Sequence, residues 1–353
     1  MPLEHGGAFM RVLDQVRTAA PPESVDPAYV RWEGEDEEAH PVLAGLTEMI
    51  HRATEAEATF ADLGAPWAQQ LPAGATARIA GRAVAHYQTG EHIRTSSSPR
   101  PYLHPVATLG GTVVSDHMPL DHVWHLGAGV AIQDVNDINF WGGRSYRRAA
   151  GRYIWRRDHG HIRQADGLEQ APDRMSEALE WVGPNGAIVL NERRNWSFSQ
   201  LDDDAWQLGL EFTLSPAAAE PVSLGSPGSH GREQGGYGGF FWRLPPCTAV
   251  NVRTASATGE DEVHGAVAPW MAWTAEFEGR PATLIFLAGP EASDPWFVRV
   301  SGYPGVGLSL AWDAPVEATR ENPLVRSVSV IVADGSLSDP EVEAAIDKAG
   351  NQR

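Results

Sequence analysis

The feature that most constrains this chain is an alternation of apolar and polar residues with a period of two. It is clearest at 206–214, where every second residue is large and apolar: Trp206, Leu208, Leu210, Phe212 and Leu214. Successive side chains of an extended strand point to opposite faces, so this pattern places one face in a core and the other toward water. The alternation recurs at 306–312 and 324–332, which predicts antiparallel β-sheets.

The spacing of these segments indicates how the sheets are arranged. No helical period is found between Ala75 and Asp334, and Gly- and Pro-rich turns such as SLGSPGSHGREQGG separate the strands. Many short strands with such turns favour two antiparallel sheets packed face to face. We therefore predict an all-β fold, a large antiparallel β-sandwich at residues 75–353, preceded by an N-terminal extension at residues 1–74.

Helices are expected mainly at the two ends of the chain. An apolar stripe with steps of three and four residues predicts an amphipathic helix at 41–63, and such a helix needs an apolar partner. We expect it to dock on the sandwich or across a homo-oligomer interface. Asp339 as N-cap and Gly350 as the stop predict a short helix at 340–349.

The charge balance limits the classes of partner. The chain of 353 residues carries 27 basic and 46 acidic residues, a net charge of −19, which argues against nucleic acid and anionic membranes. Lys348 is the only lysine, so a Schiff-base mechanism is excluded from the main body of the chain. The single cysteine, Cys247, excludes an intrachain disulfide and a cysteine-based zinc site.

The N-terminus lacks a basic region followed by an apolar core, and no run approaches the ~20 apolar residues of a membrane helix. We therefore expect a soluble, cytoplasmic protein.

A histidine-rich stretch from Arg100 to Gly143 is the first candidate site. It contains His104, His117, His122 and His125, interleaved with tryptophans. Imidazoles move protons near neutral pH or bind metals, and aromatic rings beside them suit the apolar face of a sugar. The alternative is a surface loop in which histidines have collected without function.

The strand at 188–198 is the second candidate site, because Glu192 and Arg194 share its apolar face. Burying a charge is costly unless the charge is paired or used. The pair is therefore either a structural ion pair or a carboxylate that lines a pocket beside an arginine. Burial raises the pKa of a carboxyl group and a cation lowers it, and the sequence does not decide between the two.

The segment GGYGGFFWR at 235–243 is the third candidate site. Its glycines allow a close approach to a ligand and its aromatic residues can stack on sugar rings. Arg243 ends the segment on the same strand face as Phe241. The alternative is a glycine-rich hairpin whose aromatic residues belong to the core.

A divalent metal bound by the histidines is a further option, although the sequence makes no cofactor certain. His117, His122 and His125 would be the ligands, with Asp116 and Asp121 nearby. Their spacing matches no strong zinc signature, and the same residues serve equally well as general acids.

Several motifs taken together resemble a bacterial family that is labelled PmoA-like, or methane oxygenase. They are RPYLHPV, DHxxxDHxWHLG, DVNxINFWGGRxY, DHG, ERRxW and GGYGGFFWR, and the resemblance runs from about Ala75 to Gly335. Members of that family tend to occur beside sugar oxidoreductases and sugar transporters, which implies carbohydrate catabolism. The layout also resembles the large β-sandwiches of the galactose-mutarotase type, in which a histidine acid and a carboxylate base act at the anomeric centre of a sugar.

These observations predict a carbohydrate-acting enzyme that uses acid/base chemistry at a glycosidic or anomeric centre, as a hydrolase, lyase or epimerase. His122 or His125 is the candidate general acid, and Glu192 the base or charge partner; with His104 they are expected to line one pocket. The candidate contacts to a small sugar or glycoside are Arg100, Tyr102, His104, Asn139, Trp141, Arg194, Tyr237 and Arg243. The alternatives are a non-catalytic sugar-binding protein and a metal-dependent oxygenase.

Overall fold

The computed structural model describes residues 30–34, 40–43, 45–56, 75–91, 93–290 and 293–350. The chain divides into two compact units, residues 1–73 and residues 74–353.

The first unit contains a short hairpin and one helix within its described part. Strands β1 (Val30–Glu33) and β2 (His40–Leu43) pair antiparallel, and helix α1 (Leu46–Ala56) follows. The helix therefore starts later than the predicted residue 41, because 40–43 are extended. Residues 57–63 of the predicted helix lie outside the described residues, and docking through this helix stays a prediction.

Two large antiparallel sheets form the described part of the second unit. In spatial order, the nine-stranded sheet contains β10 (His161–Gln164), β12 (Arg174–Val182), β13 (Ile188–Gln200), β14 (Ala205–Pro216), β23 (Leu324–Asp334), β19 (Arg280–Ala288), β18 (Trp270–Phe277) and β17 (Thr248–Arg253), with β11 (Glu169–Ala171) paired to β12. The seven-stranded sheet contains β20 (Trp296–Arg299), β21 (Gly305–Ser309), β16 (Gly239–Arg243), β6 (Ala128–Ala131), β5 (Tyr102–Val106), β4 (Arg82–Gln88) and β3 (Thr76–Ile79).

Smaller sheets complete the unit. Strands β22 (Val316–Ala318), β15 (Val222–Gly225) and β7 (Asp134–Val135) form one, and β8 (Ser145–Arg147) pairs with β9 (Arg152–Ile154).

The main core lies between the two large sheets. The alternating apolar residues of β14, from Trp206 to Leu214, are all buried in it, while Glu211 between them is exposed. Phe240 and Trp242 contribute to the same core from the facing sheet. This arrangement confirms the predicted antiparallel β-sandwich.

The helical content of this unit is small but not limited to the C-terminus. A four-residue helix α2 (Glu260–Val263) and two 3₁₀ turns lie between its strands. Helix α3 (Asp339–Gly350) ends the described chain as predicted. None of the helices in the described ranges combines the length and apolar character needed to cross a bilayer.

The start of α3 differs from the prediction by one residue. Asp339 is already helical, and Ser338 precedes it with its backbone N–H bonded to Glu341 Oε2 at 2.8 Å. The carboxylate of Asp339 instead accepts a hydrogen bond from Arg253 Nε at 2.6 Å.

Part of the seven-stranded sheet is buried on both faces. All five residues of β16 and all five of β21 are buried, so the predicted exposure of one face at 306–312 is wrong. A second apolar group, the aromatic cluster, covers the outward face and contains Trp141, Tyr237, Phe241 and Phe297 with half-buried Trp124, Tyr303 and Trp312. Gly305 leaves room for it, because a Cβ there would meet the Phe241 ring at 3.1 Å.

Candidate functional site

The candidate site lies on the outward face of the seven-stranded sheet, at one end of the aromatic cluster. Phe240 and Trp242 of β16 point into the main core, so Phe241 and Arg243 point outward. The sequence predicted this shared face for Phe241 and Arg243. The loop between β5 and β6 brings His122 and its neighbours to the same place.

Asp121 joins Arg243 to His122. Arg243 Nη2 donates to both carboxylate oxygens of Asp121, at 3.0 and 2.9 Å, and His122 Nδ1 lies 3.2 Å from Asp121 Oδ2. Partial burial raises the pKa of Asp121, but His122 and Arg243 outweigh it and hold the pKa below its ordinary value. An ionised Asp121 accepts the Nδ1 proton of His122, so the imidazole presents Nε2 to solvent with 31% of the side chain exposed.

His125 stacks on His122 but has a different environment. The two rings are 4.6 Å apart at an angle of 12°, and Arg243 Nη1 lies 3.4 Å from His125 Nδ1. Burial, and then the charges of His122, Arg243 and Arg100, hold the pKa of His125 well below its ordinary value. A neutral imidazole is a poor general acid near neutral pH, so His122 is the better of the two predicted acids.

Aromatic side chains form the wall around this pair. Trp124 meets His122 edge-on at 5.3 Å, and Tyr303 lies 4.6 Å from His122 and 5.0 Å from His125. Trp155 lies 6.4 Å from Trp124 and is half-buried. Such a surface suits the apolar face of a sugar ring.

Arg100 is a structural residue of the site loops. Its Nη1 donates to the carbonyls of Ser97, Ser98 and Trp141 at 3.0, 2.9 and 2.9 Å, and its Nη2 donates to that of Trp124 at 2.9 Å. Burial lowers the pKa of Arg100 to about 9. The predicted contact with substrate is therefore revised, because the guanidinium is 3% exposed and holds two tryptophan backbones in place.

Asn139 has a similar structural role. Its Oδ1 accepts the backbone N–H groups of Trp141 and Gly142, both at 2.8 Å, and its Nδ2 donates to Ser145 Oγ at 3.1 Å. The side chain is fully buried. Asn139 therefore shapes the turn that carries Trp141, and its amide does not face a substrate.

Tyr102 and His104 belong to a different group of side chains. His104 lies 4.2 Å from the His117 ring, Tyr102 lies 6.1 Å from it, and His104 Nδ1 is 2.9 Å from Ser115 Oγ. Val106 has the same strand parity as Tyr102 and His104 but packs in the main core, because the pairing of β4 with β5 shifts register.

The three histidines considered as metal ligands do not converge. His117 packs on Tyr102 and His104, whereas His122 and His125 pack on each other and on Tyr303. Within the described ranges, no group of three or more His, Cys, Asp or Glu side chains is arranged to hold a metal ion.

Glu192 and Arg194 lie inside the sandwich. Arg194 Nε and Nη2 donate to the two oxygens of Glu192 at 2.6 and 2.9 Å, and Trp181 Nε1 donates to Glu192 Oε2 at 2.7 Å. Arg194 Nη1 donates to the Pro101 carbonyl at 3.1 Å. With 2% and 0% exposure, the two side chains form a buried ion pair. Within the described part of the chain, Glu192 makes no hydrogen bond or ion pair with a histidine, and the predicted shared pocket is revised accordingly.

Tyr237 lies at the far side of the aromatic cluster. Its hydroxyl is 3.0 Å from that of Tyr153 and accepts a hydrogen bond from Gln133 Nε2 at 2.7 Å. Its ring is 4.6 Å from that of Trp141. Both predicted contact residues are thus buried in the floor of the site, with Trp141 3% exposed and Tyr237 9% exposed.

Three residues of this site were not predicted as functional. Asp121 had a signal in the sequence, because it directly precedes His122. Tyr303 and Tyr153 had none, since each lies in a loop or short strand far from the histidines in sequence.

Acidification should destabilise the protein through its buried histidines. Burial holds the pKa values of His104 and His125 well below 6.5. Below that pH the unfolded chain therefore binds more protons, and stability falls as the pH is lowered. We expect urea denaturation to show a loss between pH 7 and pH 5.5 that approaches about 1.4 kcal/mol per pH unit for each histidine. The dependence of the free energy of unfolding on pH should become weaker in His125→Asn. It should stay unchanged in His51→Gln, which alters an exposed histidine and serves as the control. The same pH dependence in both variants would contradict the explanation.

The fold and the site together define a β-sandwich protein with an exposed histidine–aspartate pair on an aromatic surface. Residues 75–347 match the family described as a family of unknown function, DUF6807, and the chain belongs to that family. Among curated proteins, none matches the sequence.

Two solved structures show a distant likeness to this chain. A heparan sulfate lyase from Pedobacter heparinus is 8% identical, with a TM-score of 0.32, over 96% of this chain and 48% of that one. An α-galactosidase from Geobacillus stearothermophilus is 12% identical, with a TM-score of 0.26, over 76% of this chain and 39% of that one. The chain thus spans less than half the length of either protein.

Proposed function

We propose that this protein is a carbohydrate-acting enzyme in which His122 transfers a proton at the glycosidic or anomeric centre of a small sugar or glycoside. The observation that supports this most strongly is the bond between His122 Nδ1 and Asp121 Oδ2 at 3.2 Å, which directs Nε2 toward solvent. Arg243 holds Asp121 through two hydrogen bonds and keeps it ionised. His122 Nε2 then accepts a proton from the substrate or, once protonated, returns it to a leaving oxygen.

Tyr303 is the second group that we assign to this chemistry. It lies 4.6 Å from His122, and its hydroxyl makes no hydrogen bond with a described residue. Burial raises the pKa of Tyr303 to about 12, against the lowering effect of nearby arginines. The hydroxyl therefore stays protonated near neutral pH and donates a hydrogen bond to a substrate oxygen. It takes the place that the sequence had assigned to Glu192.

The test begins with a panel of glycosides, 3-keto-glycosides and free sugars, assayed for hydrolysis, elimination and anomer exchange. For the active substrate, His122→Gln should lower kcat about 100-fold, because a positioned acid/base contributes at least that much. Ligand affinity should change little, because the tryptophan and tyrosine walls remain. His161→Gln, on β10 of the other sheet, is the matched control and should keep full activity. An unaltered kcat in His122→Gln would contradict the assignment.

A non-catalytic sugar-binding protein is the second candidate. It is favoured by one observation, the engagement of Glu192 in a buried ion pair, which removes the carboxylate base that the sequence predicted. In that case no substrate of the panel is turned over, and His122→Gln lowers the affinity for sugar alone.

A further inference from the structure

Arg232 has an unusual environment for a half-buried arginine. It lies in the loop between β15 and β16, and its guanidinium carbon is 5.2 Å from the centre of the Tyr153 ring. With the residues that the structure describes, the guanidinium of Arg232 makes no hydrogen bond and no ion pair. Its donors are therefore available to a ligand while its stem and plane are held on an aromatic ring.

The aromatic cluster connects Arg232 to the histidines. Below Arg232, the Tyr153 hydroxyl is 3.0 Å from that of Tyr237, and the Tyr237 ring is 4.6 Å from Trp141. Trp141 in turn lies 5.7 Å from His125, on which His122 stacks. A continuous series of ring contacts, buried in its middle part, thus links the acid/base pair to Arg232.

Two other arginines near the aromatic cluster, Arg243 and Arg299, differ from Arg232 because some of their donors are occupied. Arg243 uses Nη2 for Asp121. Arg299 donates to the carbonyls of Val298 and Gln234 and has Glu260 at 3.6 Å. An uncommitted cation is notable in a chain with a net charge of −19, where acidic partners are abundant.

The charges of these arginines act together at the site. Arg299, Arg243 and Arg232 all lower the pKa of Tyr303, against the larger effect of burial. Arg232 also lowers that of Tyr153. The charge of Arg232 therefore acts on Tyr303, the group beside His122.

We infer that the substrate is an anionic sugar whose carboxylate or phosphate binds Arg232 while its ring lies on the aromatic surface and its reacting centre faces His122. This inference rests on the function proposed above. A planar guanidinium binds either anion through two parallel hydrogen bonds, which also sets the orientation of the ligand. Neutral sugars of the same shape lack the group that Arg232 would hold.

The experiment compares matched ligands by isothermal titration calorimetry at low ionic strength. Glucuronate, galacturonate and glucose 6-phosphate are compared with glucose and galactose. We expect at least one anionic sugar to bind with an affinity at least about tenfold higher than that of its neutral counterpart. A charge-assisted hydrogen bond contributes a free energy of that size. A preference for the uronates identifies a carboxylate as the anion, and a preference for glucose 6-phosphate identifies a phosphate.

Variants then locate the preference. Arg232→Gln should abolish it without weakening the binding of the neutral sugar, and Arg232→Lys should keep part of it. Arg193→Gln, exposed on β13 of the other sheet, is the control and should bind like the unchanged protein.

Equal affinity for anionic and neutral sugars, or a preference that persists in Arg232→Gln, would overturn the inference. The His122→Gln assay on the active substrate would still stand in that case. If no sugar binds, charged or neutral, both the inference and the proposed function fail.

Discussion

Replacing Glu192 with glutamine is expected to lower the free energy of unfolding by about 3 kcal/mol, because it leaves the buried Arg194 without its main counter-charge. The two side chains are joined by two hydrogen bonds of 2.6 and 2.9 Å in a region without solvent access. Because glutamine keeps the shape of the side chain, the decrease in the free energy of unfolding results from the lost charge and not from a cavity. Urea denaturation followed by tryptophan fluorescence provides the measurement.

A surface ion pair on the same sheet supplies the control. Glu180 accepts hydrogen bonds from Arg163, whose side chain is 54% exposed. Because solvent screens such a pair, Glu180→Gln should change stability by less than about 1 kcal/mol. A loss in Glu192→Gln no larger than this would show that the buried pair contributes little. Loss of turnover at full stability would instead restore Glu192 as a catalytic residue.

A third charge makes the buried pair part of a network. Glu177 Oε1 lies 3.9 Å from Arg194 Nη1, and its other oxygen accepts a hydrogen bond from the Tyr87 hydroxyl. Burial raises the pKa of Glu177 more than Arg194 lowers it. The double variant Glu192→Gln with Arg194→Met should therefore recover part of the stability lost in the single variant, since it removes the unpaired cation.

Arg100→Met is expected to cost about 3 kcal/mol or more of stability, because it leaves four carbonyls without the donor that now satisfies them. Two of these carbonyls belong to Trp124 and Trp141, so the variant should also loosen the wall and floor of the candidate site. The free energy of unfolding and the affinity for the active sugar should fall together. Arg193→Gln, an exposed change, should leave both within about 0.5 kcal/mol.

The two possible roles of Arg100 predict different results. If its guanidinium contacts substrate, Arg100→Met weakens sugar binding and leaves the unfolding curve unchanged. If it holds the loops, as its four hydrogen bonds indicate, the unfolding curve shifts in the absence of any sugar.

Strand β14 of the nine-stranded sheet was predictable because its second face is less buried than the first. In β14 the apolar residues from Trp206 to Leu214 alternate with residues on the face that points away from the main core. The burial pattern follows that alternation. The same logic fails for β16 and β21. The aromatic cluster covers their second face, and its members come from separate parts of the chain.

The grouping of the candidate site's loop residues was predictable from the sequence, and their partners were not. The proximity of His122, Trp124 and His125 follows from their closeness along the chain. Their partners do not, since Arg243 is 122 residues from Asp121 and Tyr303 belongs to another loop. For Glu192, the sequence left a structural ion pair and a pocket carboxylate open, and its contacts with Arg194 and Trp181 correspond to the first.

The sequence by itself determined the all-β class, the C-terminal helix and the stretch that carries the histidines. These depend on periodicity, capping residues and composition, which are local properties of a chain. Tertiary structure alone decided which charges are neutralised and which remain available. Whether a carboxylate or guanidinium acts on a ligand depends on the groups that strand pairing and loop packing place within hydrogen-bonding distance. Arg194 and Arg232 are the same residue type in one chain, yet one is buried between two carboxylates and the other lies open on a tyrosine ring.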